Sequence, residues 1–225
     1  MTHKLEKKEL ESPDKLTVLF LKIRAFVETH IGKIYLGAGI AAVVFLIAAG
    51  FYLYRTNYEN KAAGLYNGVL TAHMKAGSPA GDEALTKGLK ELLSRYPRSK
   101  AASLGNYRLG NLYYSRRDYA AAESAYQAFI KSASEDNDLV TLAYNALGAC
   151  EEQKKDFKKA LEFYEKAMKT KSAASFEVIN YTNMARTYEG LKDNKRAIEF
   201  YQKALLKTAD PLRSILIKRK LSLLS

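Results

Sequence analysis

Three stretches of this chain set apolar and polar residues in nearly the same order. "DYAAAESAYQAFI" runs from Asp118 to Ile130, "DFKKALEFYEKAM" from Asp156 to Met168 and "DNKRAIEFYQKAL" from Asp193 to Leu205. The second begins 38 residues after the first, and the third 37 residues after the second. Within each, apolar residues recur at intervals of three and four, which is the period of an amphipathic helix. Self-similarity at a spacing close to ~34 residues points to a helical-repeat architecture before any other.

A different pattern occupies the N-terminal part. "IYLGAGIAAVVFLIAAGFYLY", Ile34 to Tyr54, is 21 residues without a charge, flanked by Lys33 and Arg55. As a helix it would span roughly 31 Å, about the hydrocarbon thickness of a bilayer. Tyr35 at one end and Phe51, Tyr52 and Tyr54 at the other suit the two interfaces. The run is too long for the ~7–15-residue core of a signal peptide, and no small-residue cleavage site follows it, so an uncleaved anchor is expected. Small residues four apart, Gly37 with Ala41 and Ala38 with Ala42, would let another helix pack closely within the membrane.

The remaining elements follow from helix signals. Residues 1–14 are charged and expected to fray. Ser12 as N-cap and Pro13 at the first helical position open a helix with an apolar face of Leu16, Leu19, Phe20, Ile23 and Val27. Such a helix would lie on a membrane surface or bind a partner. Helix-permissive residues run from about 57 to 75, "AGSPAGD" (76–82) reads as a loop, and Asp82 is the expected N-cap of a helix that ends before Pro97. About four helical hairpins then lead to a last helix opening at Asp210-Pro211. No stretch alternates as a strand would. The expected fold is all-α: a single transmembrane helix followed by an α-solenoid. Its parts are a cytoplasmic segment with an amphipathic helix (1–33), the span (34–54), a degenerate first hairpin (55–98), and the repeats with a C-terminal capping helix (99–225).

Each unit pairs small residues with aromatics. "NYRLGNLYYSRRDYAAAESAYQAFI" carries Leu109-Gly110, Tyr113, Ala122 and Tyr126. "AYNALGACEEQKKDFKKALEFYEKAM" carries Tyr144, Leu147-Gly148, Ala160, Tyr164 and Ala167. "NYTNMARTYEGLKDNKRAIEFYQKAL" carries Tyr181, Met184-Ala185, Tyr188, Ala197, Tyr201 and Ala204. These spacings resemble the tetratricopeptide repeat. One unit departs at Phe129, where a small residue is usual, and the hairpin before it keeps little of the pattern beyond "RYP". The whole order, with "YLYRTNYENKAAGLYNGVL" following the span, resembles the bacterial ancillary Sec-translocon subunit family. That resemblance implies an inner-membrane protein with a periplasmic repeat domain, associated with the Sec translocon and with periplasmic chaperones, including a membrane-anchored prolyl isomerase.

Charge supports the orientation. Residues 1–33 carry seven Lys and Arg, whereas the 21 residues after the span carry three. The positive-inside rule keeps the N-terminus in the cytoplasm and sends residues 55–225 across, into the periplasm of a bacterium. That exported part holds 29 Lys and Arg against 19 Asp and Glu, or +10 of the chain's +12. The excess favours acidic partners or anionic membrane. Without a basic stripe interleaved with aromatics, a nucleic-acid partner is not expected.

The pattern offers no catalytic chemistry. The three histidines are His3, His30 and His73, so residues 74–225 contain none. The lone Cys150 reads as a small buried apolar residue, and nothing has the spacing of a metal or phosphate site. Glu151 and Glu152 point to different helix faces and read as solvated. Neither an enzyme nor a cofactor or metal site is expected. What remains is a protein-binding groove lined by the first helix of each repeat, with Tyr107, Asn111, Tyr114, Asn145, Arg186 and Glu189 in the facing register. Tyr and Asn give adaptable contacts to an extended peptide, and Arg can take a carboxylate; several of these residues could equally serve packing between repeats. The expected function is a membrane-anchored binder of partners or emerging clients at the translocon. The alternative is a structural adaptor of another envelope assembly, in cell division or secretion.

Overall fold

The computed structural model describes residues 15–76 and 80–224. Among these the elements are helices: α1 (Lys15–Ala76), α2 (Ala80–Arg95), α3 (Lys100–Ser115), α4 (Tyr119–Ser132), α5 (Asp138–Gln153), α6 (Phe157–Met168), α7 (Glu177–Gly190), α8 (Asn194–Lys207) and α9 (Pro211–Leu224), with one 3-10 turn at Ala173–Phe176. The frayed start expected over residues 1–14, the cap at Ser12 and Pro13, and the middle of the loop expected over 76–82 lie outside the described residues. Asp82 is not an N-cap, because α2 already begins at Ala80. It sits in the first turn instead, where its charge suits the helix dipole and its carbonyl accepts from the Thr86 hydroxyl at 2.7 Å.

The chain divides into two compact units, Met1–Thr56 and Asn57–Ser225. In the first unit α1 is interrupted at His30 (φ −116°, ψ 15°), which separates the amphipathic stretch from the apolar one. Two side chains bond back to the preceding turn at this point: Thr29 Oγ1 to Ala25 O at 2.7 Å and His30 Nδ1 to Phe26 O at 3.0 Å. Such back-bonding bends helices. The apolar stretch is long and apolar enough to cross a membrane, and none of its most apolar window is buried. A core helix would have been covered.

In the second unit the helices pair as the repeat spacing predicts. The C-terminal part of α1 packs on α2 and α3 through Ala62, Leu85, Leu89, Leu92 and Leu109, giving the degenerate first hairpin its own core. Beyond residue 97, α3 pairs with α4, α5 with α6 and α7 with α8, which is three hairpins before α9 where about four are expected. The turn inside each of these three pairs is the same. Arg117, Lys155 and Lys192 adopt positive φ of 62°, 64° and 60°. The residue that follows, Asp118, Asp156 or Asp193, caps the next helix by accepting from the backbone N–H of Ala121, Lys159 or Arg196. A side-chain acceptor at that position contributes about 1 kcal/mol.

Small residues seat large rings. A Cβ on Gly110 would stand 2.5 Å from the Tyr126 ring, and Gly148 is equally tight against Tyr164. Ala122, Ala160 and Ala197 are fully buried at the facing positions. Phe129, the departure from the pattern, is also fully buried, tilted against Tyr107 at 5.2 Å between centroids.

Candidate functional site

The first helices of the pairs follow one another, α3 touching α5 and α5 touching α7. Tyr107, Asn111 and Tyr114 lie at intervals of four and three along one face of α3. The Tyr107 ring stands edge-on to Tyr126 at 5.9 Å, and burial raises its hydroxyl pKa although Asn111 offsets part of the rise. Asn111 is exposed, and its Oδ1 accepts the Tyr126 hydroxyl at 2.8 Å. Tyr114 is half-buried against Tyr119 at 5.6 Å. This face presents tyrosine edges and one amide to the solvent side of α3.

Asn145 is placed differently, being only 6% exposed. Its Nδ2 donates to Thr141 O at 2.9 Å and to Asn180 Oδ1 at 2.5 Å, while its Oδ1 accepts from Asn183 Nδ2 at 2.8 Å. Its role here is to tie α5 to α7. The chain of bonds continues outward: Arg186 Nη2 reaches Asn183 Oδ1 at 3.1 Å and Glu152 Oε2 at 2.6 Å, and its Nε holds the same carboxylate oxygen at 3.0 Å. The Thr187 hydroxyl donates to Glu152 at 2.5 Å. Arg186 therefore emerges half-exposed from a base in which two of its N–H groups are fixed on one carboxylate oxygen. Glu189 accepts from the Tyr201 hydroxyl and from Lys220 Nζ at 2.9 Å, linking α7 to α8 and α9.

The six expected residues thus form two groups: an aromatic face on α3, and a polar ladder from Asn145 through Asn183 to Arg186, with Glu189 beside it. Asn183 and Glu152 were missed by the sequence reading. So was the true setting of the acidic pair. Glu151 is 1% exposed and Glu152 mostly covered, so neither is a solvated surface charge. Glu151 pairs with Lys154 at 2.8 Å and with Lys159 of α6. The two carboxylates do leave α5 on different faces, one toward α6 and one toward α7, and each finds its cation there. No signal in a single helix could show those partners.

Among the described residues, no three His, Cys, Asp or Glu side chains converge as a metal site would need. Cys150 is fully buried, and burial, aided by Glu123, pushes its thiol up to about 12. A thiol so placed is inert, since the thiolate is the nucleophile. The intact protein in mild detergent is expected to leave Ellman's reagent unreacted at mildly alkaline pH, and to release one equivalent once guanidinium unfolds it. Prompt reaction of the folded protein would show an accessible thiolate.

No curated protein matches the chain. Solved structures do. The crystal structure of MamA protein is 26% identical with a TM-score of 0.53, over 66% of this chain and 73% of that one. The N-terminal domain of stress-induced protein-1 (STI-1) from C. elegans is 20% identical (TM-score 0.45), over 54% of this chain and 94% of that one. The TPR2B domain of yeast Sti1, in a structure titled as its pHsp70 complex, is 23% identical (TM-score 0.45), over 54% and 91%. The first of these supports the helical-repeat fold. A family model described as a tetratricopeptide repeat-like domain matches residues 24–225.

Proposed function

Because the chain belongs to the tetratricopeptide repeat-like domain family, whose fold serves as a protein-interaction scaffold, we propose that it is a membrane-anchored scaffold that acts beside the Sec translocon. The anchor is the apolar stretch of α1, with the N-terminus in the cytoplasm and the repeats in the periplasm of a bacterial inner membrane. The repeats bind periplasmic chaperones and exported clients as these emerge. One observation carries the binding role: the polar ladder from Asn145 to Arg186 holds α5 and α7 in fixed register and leaves a half-exposed guanidinium close enough to Tyr114 of α3 to act on its hydroxyl electrostatically. Rigid tyrosine edges with an anchored Arg make contacts at little cost in side-chain entropy. The order of anchor, degenerate hairpin and repeats supports the translocon setting, and the excess of Lys and Arg before the span supports the orientation.

Affinity purification of the full chain from native membranes in mild detergent, followed by mass spectrometry, tests this reading. Translocon subunits and periplasmic chaperones are expected in the wild-type eluate. A Tyr107→Ala/Tyr114→Ala double variant should lose the chaperones and keep the translocon. Recovery of a single unrelated envelope complex would replace the translocon with a cell-division or secretion machine. Protection of the repeats from protease in spheroplasts would overturn the orientation.

A further inference from the structure

A cavity of about 620 Å³ opens between α7, α8 and α9. Its walls share one register. Ile179, Thr182 and Arg186 of α7 line one side, and Leu216, Arg219 and Leu223 of α9, each 37 residues later, line the other. The same repeat spacing relates Thr182 back to Asn145 and Tyr107, the expected groove positions of α5 and α3. The cavity is therefore the C-terminal continuation of the groove, with α9 in the place of a further first helix.

Its chemistry differs from the rest of the groove. Leu212, Leu216 and Leu223 form a stripe along α9 and are 73%, 62% and 72% exposed, while Ile217 on the adjoining face is buried against α8. Basic residues flank the stripe on both sides. Every ionisable side chain with a full charge that lines the cavity is a cation, and none is a carboxylate. Arg186 and Lys220 are already committed to Glu152 and Glu189. Arg219 makes no ion pair among the described residues, and Arg213 stands 4.0 Å from Asp210, at the limit of one.

We propose that this cavity is a docking site for an acidic, amphipathic segment of a partner protein, with apolar side chains on the leucine stripe and carboxylates on Arg213 and Arg219. The proposal rests on the scaffold reading above and adds the chemical class of the ligand. An apolar ligand alone would leave the two arginines unused, and an acidic ligand alone would leave the leucines in water. The volume lies within the range of small, well-formed sites and suits the few side chains by which an amphipathic segment anchors itself.

The test uses the full chain in nanodiscs of zwitterionic lipid and fluorescence anisotropy of three labelled peptides. One peptide repeats Leu and Glu in amphipathic order, one has Lys in place of Glu, and one has Ser in place of Leu. Only the Leu–Glu peptide is expected to bind. An Arg213→Glu/Arg219→Glu variant should weaken it about tenfold or more, through the loss of charge complementarity. A Leu216→Ala/Leu223→Ala variant should weaken it similarly; these residues are exposed, and circular dichroism should confirm that both variants stay folded. Equal binding of the Ser–Glu peptide, or no effect of either variant, would overturn the proposal. So would displacement of the peptide by vesicles of anionic phospholipid in the wild type alone, which would assign the cavity to lipid. Partner capture that depends on Tyr107 and Tyr114, together with no Leu–Glu binding, would defeat this inference and leave the scaffold reading standing.

Discussion

Replacing Tyr164 with alanine is expected to remove about 3–5 kcal/mol from the stability of the repeat domain. The ring is fully buried and lies across Gly148, which has no side chain to fill the space left behind. For a domain of this size the midpoint of thermal unfolding should fall by about 10 °C, read by circular dichroism on the full chain in detergent. The hydroxyl contributes little by comparison. It lies buried beside Glu152 and Arg186 without a well-formed hydrogen bond, and burial raises its pKa well above the ordinary tyrosine value. Tyr164→Phe should therefore cost under about 1 kcal/mol. Comparable losses from the two variants would mean that the hydroxyl, and not the ring on its glycine seat, joins α5 to α6.

The second large effect is an asymmetry around Glu151. This carboxylate is 1% exposed, while the lysines that neutralise it are 38% and 45% exposed. Changing Lys154 and Lys159 together to methionine strands a buried charge, and it also takes Lys154 from Glu123, 2.6 Å away. The expected cost is about 3 kcal/mol, the low end for a broken buried pair because solvent reaches the lysine ends. Glu151→Gln removes the charge, leaves Lys154 on Glu123 and lets Lys159 turn into water, at a cost of about 1 kcal/mol. Chemical denaturation of both variants checks the order. If the glutamine variant were the less stable of the two, the attraction would outweigh the desolvation of the buried charge.

Much of this architecture can be read along the chain because a repeat states its own period. The three near-copies coincide with α4, α6 and α8, and the Leu-Gly and Met-Ala pairs mark where rings from the next helix rest. Asp210-Pro211 opens α9 as expected, with Asp210 Oδ1 accepting from the Leu212 N–H at 3.0 Å. What could not be read is how one unit meets the next. Asn145 is expected in the groove, yet Asn180 and Asn183 draw its amide inward. Glu151 and Glu152 look like surface charges until α6 and α7 bring Lys159 and Arg186 to them. The last helix reads as a cap, because only packing shows that Ile217 takes the inner position and leaves three leucines outside.

The shared turn bears on how such a chain can change its length. Arg117, Lys155 and Lys192 hold the same left-handed backbone, and the aspartate after each begins the next helix in the same way. Excising residues 119–156 would place Phe157 directly after Asp118 and set Tyr164 where Tyr126 now meets Gly110. Recombination between two such turns adds or deletes a whole cassette without inventing a joint. The reach of the binding surface is then set by copy number, a quantity that unequal crossing-over alters more readily than point mutation does, while the two ends of the solenoid stay as they are.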